Sequence, residues 1–230
     1  MLGIFTLTAF SANAQIGKGS VQIGANLGFT VTNTDQNQVG QTALLGSGST
    51  SSLVISPSAG YFLANNFVLG IAGGDTRTET NNSNTNPAGY TNTSSVISNS
   101  FSIGPYARYY FKLGEKAAVF TQLSLAYASN SGSTATTNNN PIDVGSTLST
   151  SSGQSLTITL QPGFSYFISN RFTLEAMIGS FYYAGTTSTN TPDPSNATQN
   201  AALTTNTSKL NFNLTSTSVL FGFKYYIRKT

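Results

Sequence analysis

Much of this chain alternates apolar and polar residues with a period of two. Side chains of a β-strand point alternately to its two faces, so such a stretch predicts a strand with one apolar face. The first stretch has Val21, Ile23, Ala25, Leu27, Phe29 and Val31 on one parity, and Gln22, Gly24, Asn26, Gly28 and Thr30 on the other. Similar stretches follow at 51–63, 67–77, 94–111, 117–130, 153–168, 171–185 and 209–228. The sequence therefore predicts an all-β protein with eight strands.

The composition excludes several other classes. Of the 230 residues, 7% are charged and 11% are aromatic, which argues against disorder. No apolar run reaches the roughly 18 residues that a transmembrane helix needs. The sequence has neither Cys nor His, so we expect no disulfide, no metal site and no cofactor. Lys and Arg are not clustered, which argues against nucleic acid as a partner.

The connections between the predicted strands alternate between short and long. Short turns are predicted near 64–66, 112–116 and 169–170, and long links rich in Ser, Thr and Asn near 33–50, 78–93, 131–152 and 186–208. Bacterial outer-membrane barrels have short periplasmic turns and longer extracellular loops. We therefore predict an eight-stranded antiparallel up-and-down transmembrane β-barrel, with mobile loops outside the cell and both termini in the periplasm.

The N-terminal residues predict a secretory signal peptide. An apolar stretch from Leu2 to Phe10 precedes Ala12-Asn13-Ala14, which fits a signal-peptidase site after Ala14. The basic region that normally precedes the apolar stretch is absent, which favours a truncated start. We expect residues 1–14 to be removed and residues 15–230 to form a single barrel domain.

A short motif recurs at the ends of the even-numbered predicted strands. Residues 57–62, 105–110 and 162–167 each begin with Pro and end with an aromatic pair, and 221–226 matches them with Phe in place of Pro. Tyr and Phe form interfacial girdles in membrane barrels. The motif therefore predicts an aromatic girdle of Tyr61, Tyr109, Tyr166 and Tyr225. Because proline has no backbone N–H, each proline also predicts a bulge or a missing ladder bond.

Alternation alone does not distinguish a membrane barrel from a soluble carrier with an apolar interior. Three features indicate that the apolar face of the strands points toward lipid. The polar parity is rich in glycine, as at Gly24, Gly104 and Gly163, which suits a crowded interior. The last strand presents Phe221, Phe223 and Tyr225 on its apolar parity, and few charges lie within the strands.

With this strand count, the repeated Pro-to-aromatic strand ends and the aromatic last strand, the chain resembles the outer-membrane β-barrel family that includes OmpX-like proteins and OmpA-type transmembrane domains. The resemblance covers about Lys18 to Arg228. It implies the cell outer membrane of a Gram-negative organism, with outer-membrane lipid, lipopolysaccharide and the barrel-assembly machinery as partners. The family shares no catalytic motif that could be carried over.

Three charged residues fall on the polar parity within the predicted strands: Arg108, Glu175 and Lys224. A buried charge without a partner is costly, so we expect these residues to form a structural cluster in the lumen. The strands of Glu175 and Lys224 are neighbours, which predicts that these two pair while Arg108 reaches in from across the barrel.

An eight-stranded barrel has an interior that side chains fill. We therefore expect a structural or surface-interaction role through the polar loops, with a narrow diffusion pore for small solutes as the alternative. An enzyme is not expected, because the barrel enzymes that modify lipid A or cleave proteins generally use His. The acidic residues of the predicted loops and their margins are interpreted as solvating groups: Asp35, Asp75, Glu79, Asp143 and Asp193.

Overall fold

The computed structural model describes residues 17–37, 45–86, 88–139, 145–192, 202–213 and 220–227, so the predicted signal peptide lies outside the described residues. The regular structure of the described part is antiparallel β-sheet. Ten strands follow in chain order: β1 (Val21–Asn37), β2 (Leu45–Ala64), β3 (Phe67–Thr85), β4 (Thr91–Lys112), β5 (Ala117–Asn138), β6 (Gly145–Phe167), β7 (Phe172–Met177), β8 (Ser180–Thr191), β9 (Leu203–Asn213) and β10 (Leu220–Ile227).

Eight of these strands close into a hydrogen-bonded ring. The order is β1–β2–β3–β4–β5–β6–β7–β10, and β10 pairs back onto β1 from Val21↔Ile227 to Leu27↔Phe221. The remaining two strands extend this ring, because β8 pairs with β6 and β9 pairs with β8. The predicted seventh strand is thus divided into β7 and β8, and the predicted eighth into β9 and β10. The result is a barrel-like ring of eight strands within a ten-stranded sheet.

A one-residue bulge separates β7 from β8. The register against β6 changes between Leu160↔Phe181 and Gly163↔Met177, and Gly179 has a φ of 63°, which glycine adopts easily. The outward parity changes with it, from even numbers in β7 to odd numbers in β8. The outward parity also differs between β9, where Leu210 and Phe212 are exposed, and β10, where Phe221 and Phe223 are exposed.

The three predicted short turns are confirmed. Asn66 has a φ of 67° between β2 and β3, a conformation that Asn tolerates better than most residues. Gly114 has a φ of 147° between β4 and β5. Between β6 and β7, Ser169 Oγ accepts a hydrogen bond of 3.1 Å from the Phe172 backbone N–H. We call this side of the ring the turn end.

The predicted long loops are largely wrong, because most of their residues belong to strands. The strands β2 to β6 contain 20, 19, 22, 22 and 23 residues, about twice the 9–11 residues of a typical transmembrane strand. The predicted loop 78–93, for example, continues β3 to Thr85 and begins β4 at Thr91. We call the parts of the strands that continue beyond the apolar segments the polar extension.

The apolar parity faces outward throughout the described ring. Phe29, Leu160, Ile178 and Phe223 are 72%, 44%, 47% and 42% exposed, whereas Gln22 and Lys224 on the opposite parity are completely buried. On β2 the outward apolar side chains run from Leu53 to Leu63, which matches the length of a transmembrane strand. This outward band, the apolar belt, excludes the alternative of a soluble carrier with an apolar centre.

The three motif prolines interrupt the ladders as predicted. Pairing between β2 and β3 is missing between Ile55↔Asp75 and Ser58↔Ala72, and the register is unchanged across the gap at Pro57. Pairing between β4 and β5 shows the same gap at Pro105. Pro162 lies opposite the bulge between β7 and β8. Each proline thus has no ladder partner in the strand that follows its own around the ring.

Candidate functional site

Buried side chains from the ring strands fill the lumen near the turn end. The second member of each aromatic pair points inward, so that Phe62, Tyr110, Phe167 and Tyr226 join Phe120 in one cluster. The Phe62 ring lies 6.1 Å from that of Tyr110 and 6.0 Å from that of Tyr226, between centroids. We call these five aromatic residues, together with Arg108 and Glu175, the luminal plug.

The first member of each aromatic pair points outward. The predicted girdle residues Tyr61, Tyr109, Tyr166 and Tyr225 are 46%, 41%, 41% and 39% exposed on the apolar belt. Each lies one residue before an inward-facing member of the plug. The recurring motif therefore places one aromatic ring outside the wall and the next one inside it.

Arg108 and Glu175 form the ionic centre of the plug. Arg108 Nη1 donates to both carboxylate oxygens of Glu175 at 2.8 Å, and both side chains are at most 1% exposed. Gln122 Oε1 accepts from Nε at 3.0 Å and from Nη2 at 2.7 Å on the other side of the guanidinium. The guanidinium carbon also lies 4.1 Å from the centroid of the Phe120 ring, within range of a cation–π contact.

Tyr110 connects this ion pair to the neighbouring strands. Its hydroxyl accepts a hydrogen bond of 2.8 Å from Arg108 Nη1 and lies 2.9 Å from Gln22 Oε1 and 3.2 Å from Glu175 Oε1, either of which can accept its proton. Ser165 Oγ donates to Glu175 Oε1 at 3.2 Å. The charge pair is thus embedded in hydrogen bonds from several strands, as a buried pair requires.

Lys224 does not take the partner that its sequence position suggested. The predicted Glu175–Lys224 pair is wrong: the ion pair found among the described residues joins Glu175 to Arg108. Lys224 Nζ instead donates to Ser58 Oγ at 2.6 Å, on the other side of β1. Its side chain crosses above Gly24, where an added Cβ would lie 2.6 Å from Lys224 Cδ.

Other inward glycines make room for side chains in the same way. Tyr106 lies across Gly70 and reaches Gly60, where its hydroxyl would be 2.5 Å from an added Cβ. The Phe120 ring lies against Gly163, where an added Cβ would be 2.8 Å from its Cε1. These contacts explain why the inward parity is rich in glycine.

The polar extension is built from paired hydroxyl and amide side chains. Thr50 and Thr80 are 3.1 Å apart between their hydroxyl oxygens, Ser52 and Thr78 are 3.2 Å apart, and Thr187 donates to Asn206 Oδ1 at 2.8 Å. Such cross-strand pairs stabilise neighbouring strands. The extension encloses cavities of about 380 Å³ and 250 Å³ that are lined mainly by Ser, Thr, Asn and Gly.

Among the acidic residues of the predicted loops, the three in the described part of the chain are not members of the plug. Asp35, Asp75 and Glu79 belong to strands, and Asp143 and Asp193 lie outside the described residues. Within the described ranges, no group of three His, Cys, Asp or Glu residues could hold a metal ion. The described part of the chain contains no helix that is long and apolar enough to cross a membrane.

Two features of the site were not predicted from the sequence. The predicted girdle names only the outward member of each aromatic pair, although strict alternation within the motif points the other member into the lumen. The composition of the polar extension predicts loops, because Ser, Thr and Asn are also typical of turns.

The comparison with known families agrees with this geometry. The family model of the outer membrane protein beta-barrel domain matches residues 2–225. No curated protein matches the chain. The chain is similar to the solved structure of a major outer membrane protein from Thermus thermophilus, with 13% identity, a TM-score of 0.41, and coverage of 91% of this chain and 99% of the other.

Proposed function

Since the chain belongs to the outer membrane protein β-barrel domain family, we propose that it is an integral anchor whose barrel spans the outer membrane and whose polar extension meets partners outside the cell. Membership implies an outer-membrane location. In this proposal β7 with β8, and β10 with β9, each act as one interrupted transmembrane strand. The turn end then faces the periplasm and the extension projects from the cell surface.

The luminal plug carries this proposal. Phe62, Tyr110 and Arg108 are at most 1% exposed, and the residues that bury them come from strands all around the ring. Solutes that enter from the polar extension would meet this layer before they reach the turn end. The plug therefore favours a non-enzymatic role of the polar extension over transport of solutes through the lumen.

The extension supports a surface-interaction role by its chemistry. Its wall offers many hydroxyl and amide groups and few charges, so a partner would be recognised through hydrogen bonds. Lipid and lipopolysaccharide are the expected surroundings of the belt. Barrel-assembly machinery is the expected partner during insertion.

A narrow diffusion pore is the second candidate. The hydroxyl-lined cavities of the extension favour it, because small polar solutes could enter the upper lumen. The two candidates differ in whether the plug opens.

Planar-bilayer conductance of the purified, refolded chain separates them. We expect no stable single-channel steps from the native protein. A variant that removes two plug rings, Phe62→Ala with Tyr110→Ala, should either conduct or unfold, and heat-modifiable gel migration reports which occurs. Stable steps from the native chain would contradict the plugged anchor and favour the pore.

A further inference from the structure

The wall of the ring is not closed between β1 and β9, at the end away from the short turns. β1 pairs with β10 only as far as Leu27↔Phe221, whereas its ladder with β2 continues to Asn37↔Leu45. β9 pairs with β8 along its whole length. Among the described residues, neither Gly28–Asn37 of β1 nor Leu203–Asn213 of β9 has a ladder partner on its other side. We call these two free edges the open seam.

Side chains along the open seam are more exposed than those elsewhere in the wall. Phe29 of β1 and Phe212 of β9 point outward and are 72% and 65% exposed, against 44% for Leu160 on β6, a strand that is paired on both sides. On the inner face, Thr32 of β1 is exposed, whereas Thr80 of β3 is half-buried. Within the described part of the chain, the open seam is thus uncovered on both faces.

The backbone groups of the two free edges are complementary. The Phe62 N–H donates to Ser20 O at 2.9 Å, and the ladder continues from there without a register shift. Even-numbered residues of β1 therefore bond to β2, and odd-numbered residues direct their N–H and C=O groups to the free edge. The same alternation, followed through β6 and β8 from the bond between the Phe167 N–H and Lys116 O, leaves the even-numbered residues of β9 at its free edge. In both strands these residues point outward, so an antiparallel β1–β9 ladder would match both the hydrogen bonds and the two faces.

Neither free edge carries the features that normally prevent strand pairing. Exposed edges are usually protected by proline, by charged residues or by bulges. Both free edges lack proline, and each has one charged residue, Asp35 on β1 and Lys209 on β9, which have opposite signs. Edges of this kind are templates for another strand.

We propose that the open seam joins two copies of this chain in a two-fold dimer, in which β1 of each copy pairs with β9 of the other. The proposal uses the membrane-spanning placement proposed above, with the two-fold axis along the membrane normal. Two copies with the same orientation then present β1 and β9 to each other as antiparallel strands. All four free edges are paired in one closed assembly, as in other isologous dimers. The lower part of each ring stays closed by its own β1–β10 ladder.

A second copy fits the open seam better than a single strand from another protein. The unbroken series of antiparallel pairs from β1 through β6 and β8 to β9 makes β1 and β9 antiparallel to each other. One inserted strand would therefore be antiparallel to one free edge and parallel to the other, and parallel pairing is slightly less stable per residue. A second copy forms antiparallel ladders at both edges.

Mixed single-cysteine variants test the pairing, since the sequence contains no other cysteine. A tagged chain with Thr32→Cys is refolded into vesicles together with an untagged chain that carries Thr207→Cys, Lys209→Cys or Asn211→Cys, which are successive inner-face positions of β9. After oxidation, we expect at least one of the three mixtures to give a disulfide-linked heterodimer on non-reducing gels. Leu123→Cys, on the belt of β5, replaces the β9 cysteine in the control mixture and should give none.

The outcomes separate a second copy from closure within one chain. Absence of the heterodimer from all three mixtures would overturn the proposal. If a chain that carries both cysteines then forms an internal disulfide, β1 and β9 pair within one copy instead.

Proline at a free edge removes a donor that the dimer needs. Val31→Pro and Ser208→Pro each delete an N–H that faces the free edge, where folded sheets tolerate proline. Each substitution acts twice in a two-fold dimer, so we expect the Kd of the dimer to rise at least about tenfold. Single-molecule photobleaching in vesicles at several protein-to-lipid ratios measures this Kd. Ser208→Ala keeps the N–H and should dimerise like the native chain, and a native-like Kd for both proline variants would contradict the proposal.

Folding of every variant is scored separately by heat-modifiable migration. If the proline variants do not fold, the heterodimer cross-link decides the proposal by itself. A native chain that inserts into vesicles but stays monomeric overturns the dimer alone. A native chain that does not insert overturns the membrane-spanning placement, and the dimer with it.

Discussion

Arg108 Nη1 on β4 donates to both carboxylate oxygens of Glu175 on β7 at 2.8 Å, across the lumen of the ring. Two strands, β5 and β6, separate these residues along the wall. The pair therefore connects distant parts of the ring from the inside. Gln122 and Tyr110 occupy the other faces of the guanidinium and of the carboxylate, so little of either group is unsatisfied.

Breaking this pair from one side should strongly destabilise the barrel. Arg108→Met leaves the Glu175 carboxylate buried without a counter-charge, and we expect a loss of about 3–5 kcal/mol in the free energy of unfolding. Urea unfolding in phospholipid vesicles, followed by tyrosine fluorescence, measures it. The double variant Arg108→Met with Glu175→Gln should recover part of the loss, because no buried charge is then left alone. A double variant less stable than Arg108→Met would contradict this account.

The sequence located the charged residues of the lumen but not all of their partners. Parity along a strand determines whether a side chain points inward, and this sufficed for Arg108, Glu175 and Lys224. Which inward groups meet depends on the stagger between strands and on which neighbours are small enough to be crossed. Lys224 reaches Ser58 only because Gly24 lies between them. Which side chains can contact each other across a strand depends on the assembled barrel, and the order of the strands alone does not predict it.

The same limit explains the polar extension. Ser, Thr and Asn are typical of loops, but Thr also suits a pleated surface when it pairs across strands. Residues 78–85 and 91–93 form a ladder only if the end of β3 and the start of β4, the two arms of the extension, pair in register. They do so here, for example at Thr80↔Val96 and Ser83↔Thr93. Local composition does not contain that pairing. The apolar belt could be predicted, because the alternation that produces it is visible in the sequence of each single strand.

An added methyl group should destabilise the protein at an inward glycine but not at an outward one. Gly70→Ala would push a Cβ to 2.7 Å from both Gly60 Cα and Tyr106 Cε1, and overpacking of this kind costs about 1–3 kcal/mol. Gly73→Ala meets only contacts of 3.6 Å and longer, so we expect a change within about 0.5 kcal/mol. Urea midpoints of the two variants in vesicles provide the comparison. Equal destabilisation by both would show that the two glycines share one role.

The polar extension should exchange its amide hydrogens slowly. Residues Thr76–Thr85 of β3 pair continuously with Thr91–Ser100 of β4, so their amides are hydrogen-bonded well beyond the belt. Paired amides exchange only when the ladder opens. We expect peptides from both arms to be protected over minutes, while the tip at Ala88 and Gly89 exchanges much faster. Mass-spectrometric hydrogen exchange in vesicles measures both, and equal exchange in arms and tip would restore the loop interpretation.

Single cysteines should report the orientation of the barrel without background, since the sequence contains no other cysteine. Ala88→Cys lies at the tip of the polar extension, Glu115→Cys lies in a short turn, and Leu123→Cys lies on the apolar belt. A membrane-impermeant maleimide added to intact cells should label Ala88→Cys, because the extension is proposed to face outward. Glu115→Cys should react only after the outer membrane is permeabilised. Leu123→Cys should stay unlabelled in both states, because lipid covers the belt. Labelling of Glu115→Cys but not Ala88→Cys in intact cells would reverse the proposed orientation, and rapid labelling of Leu123→Cys would show that the belt is in water.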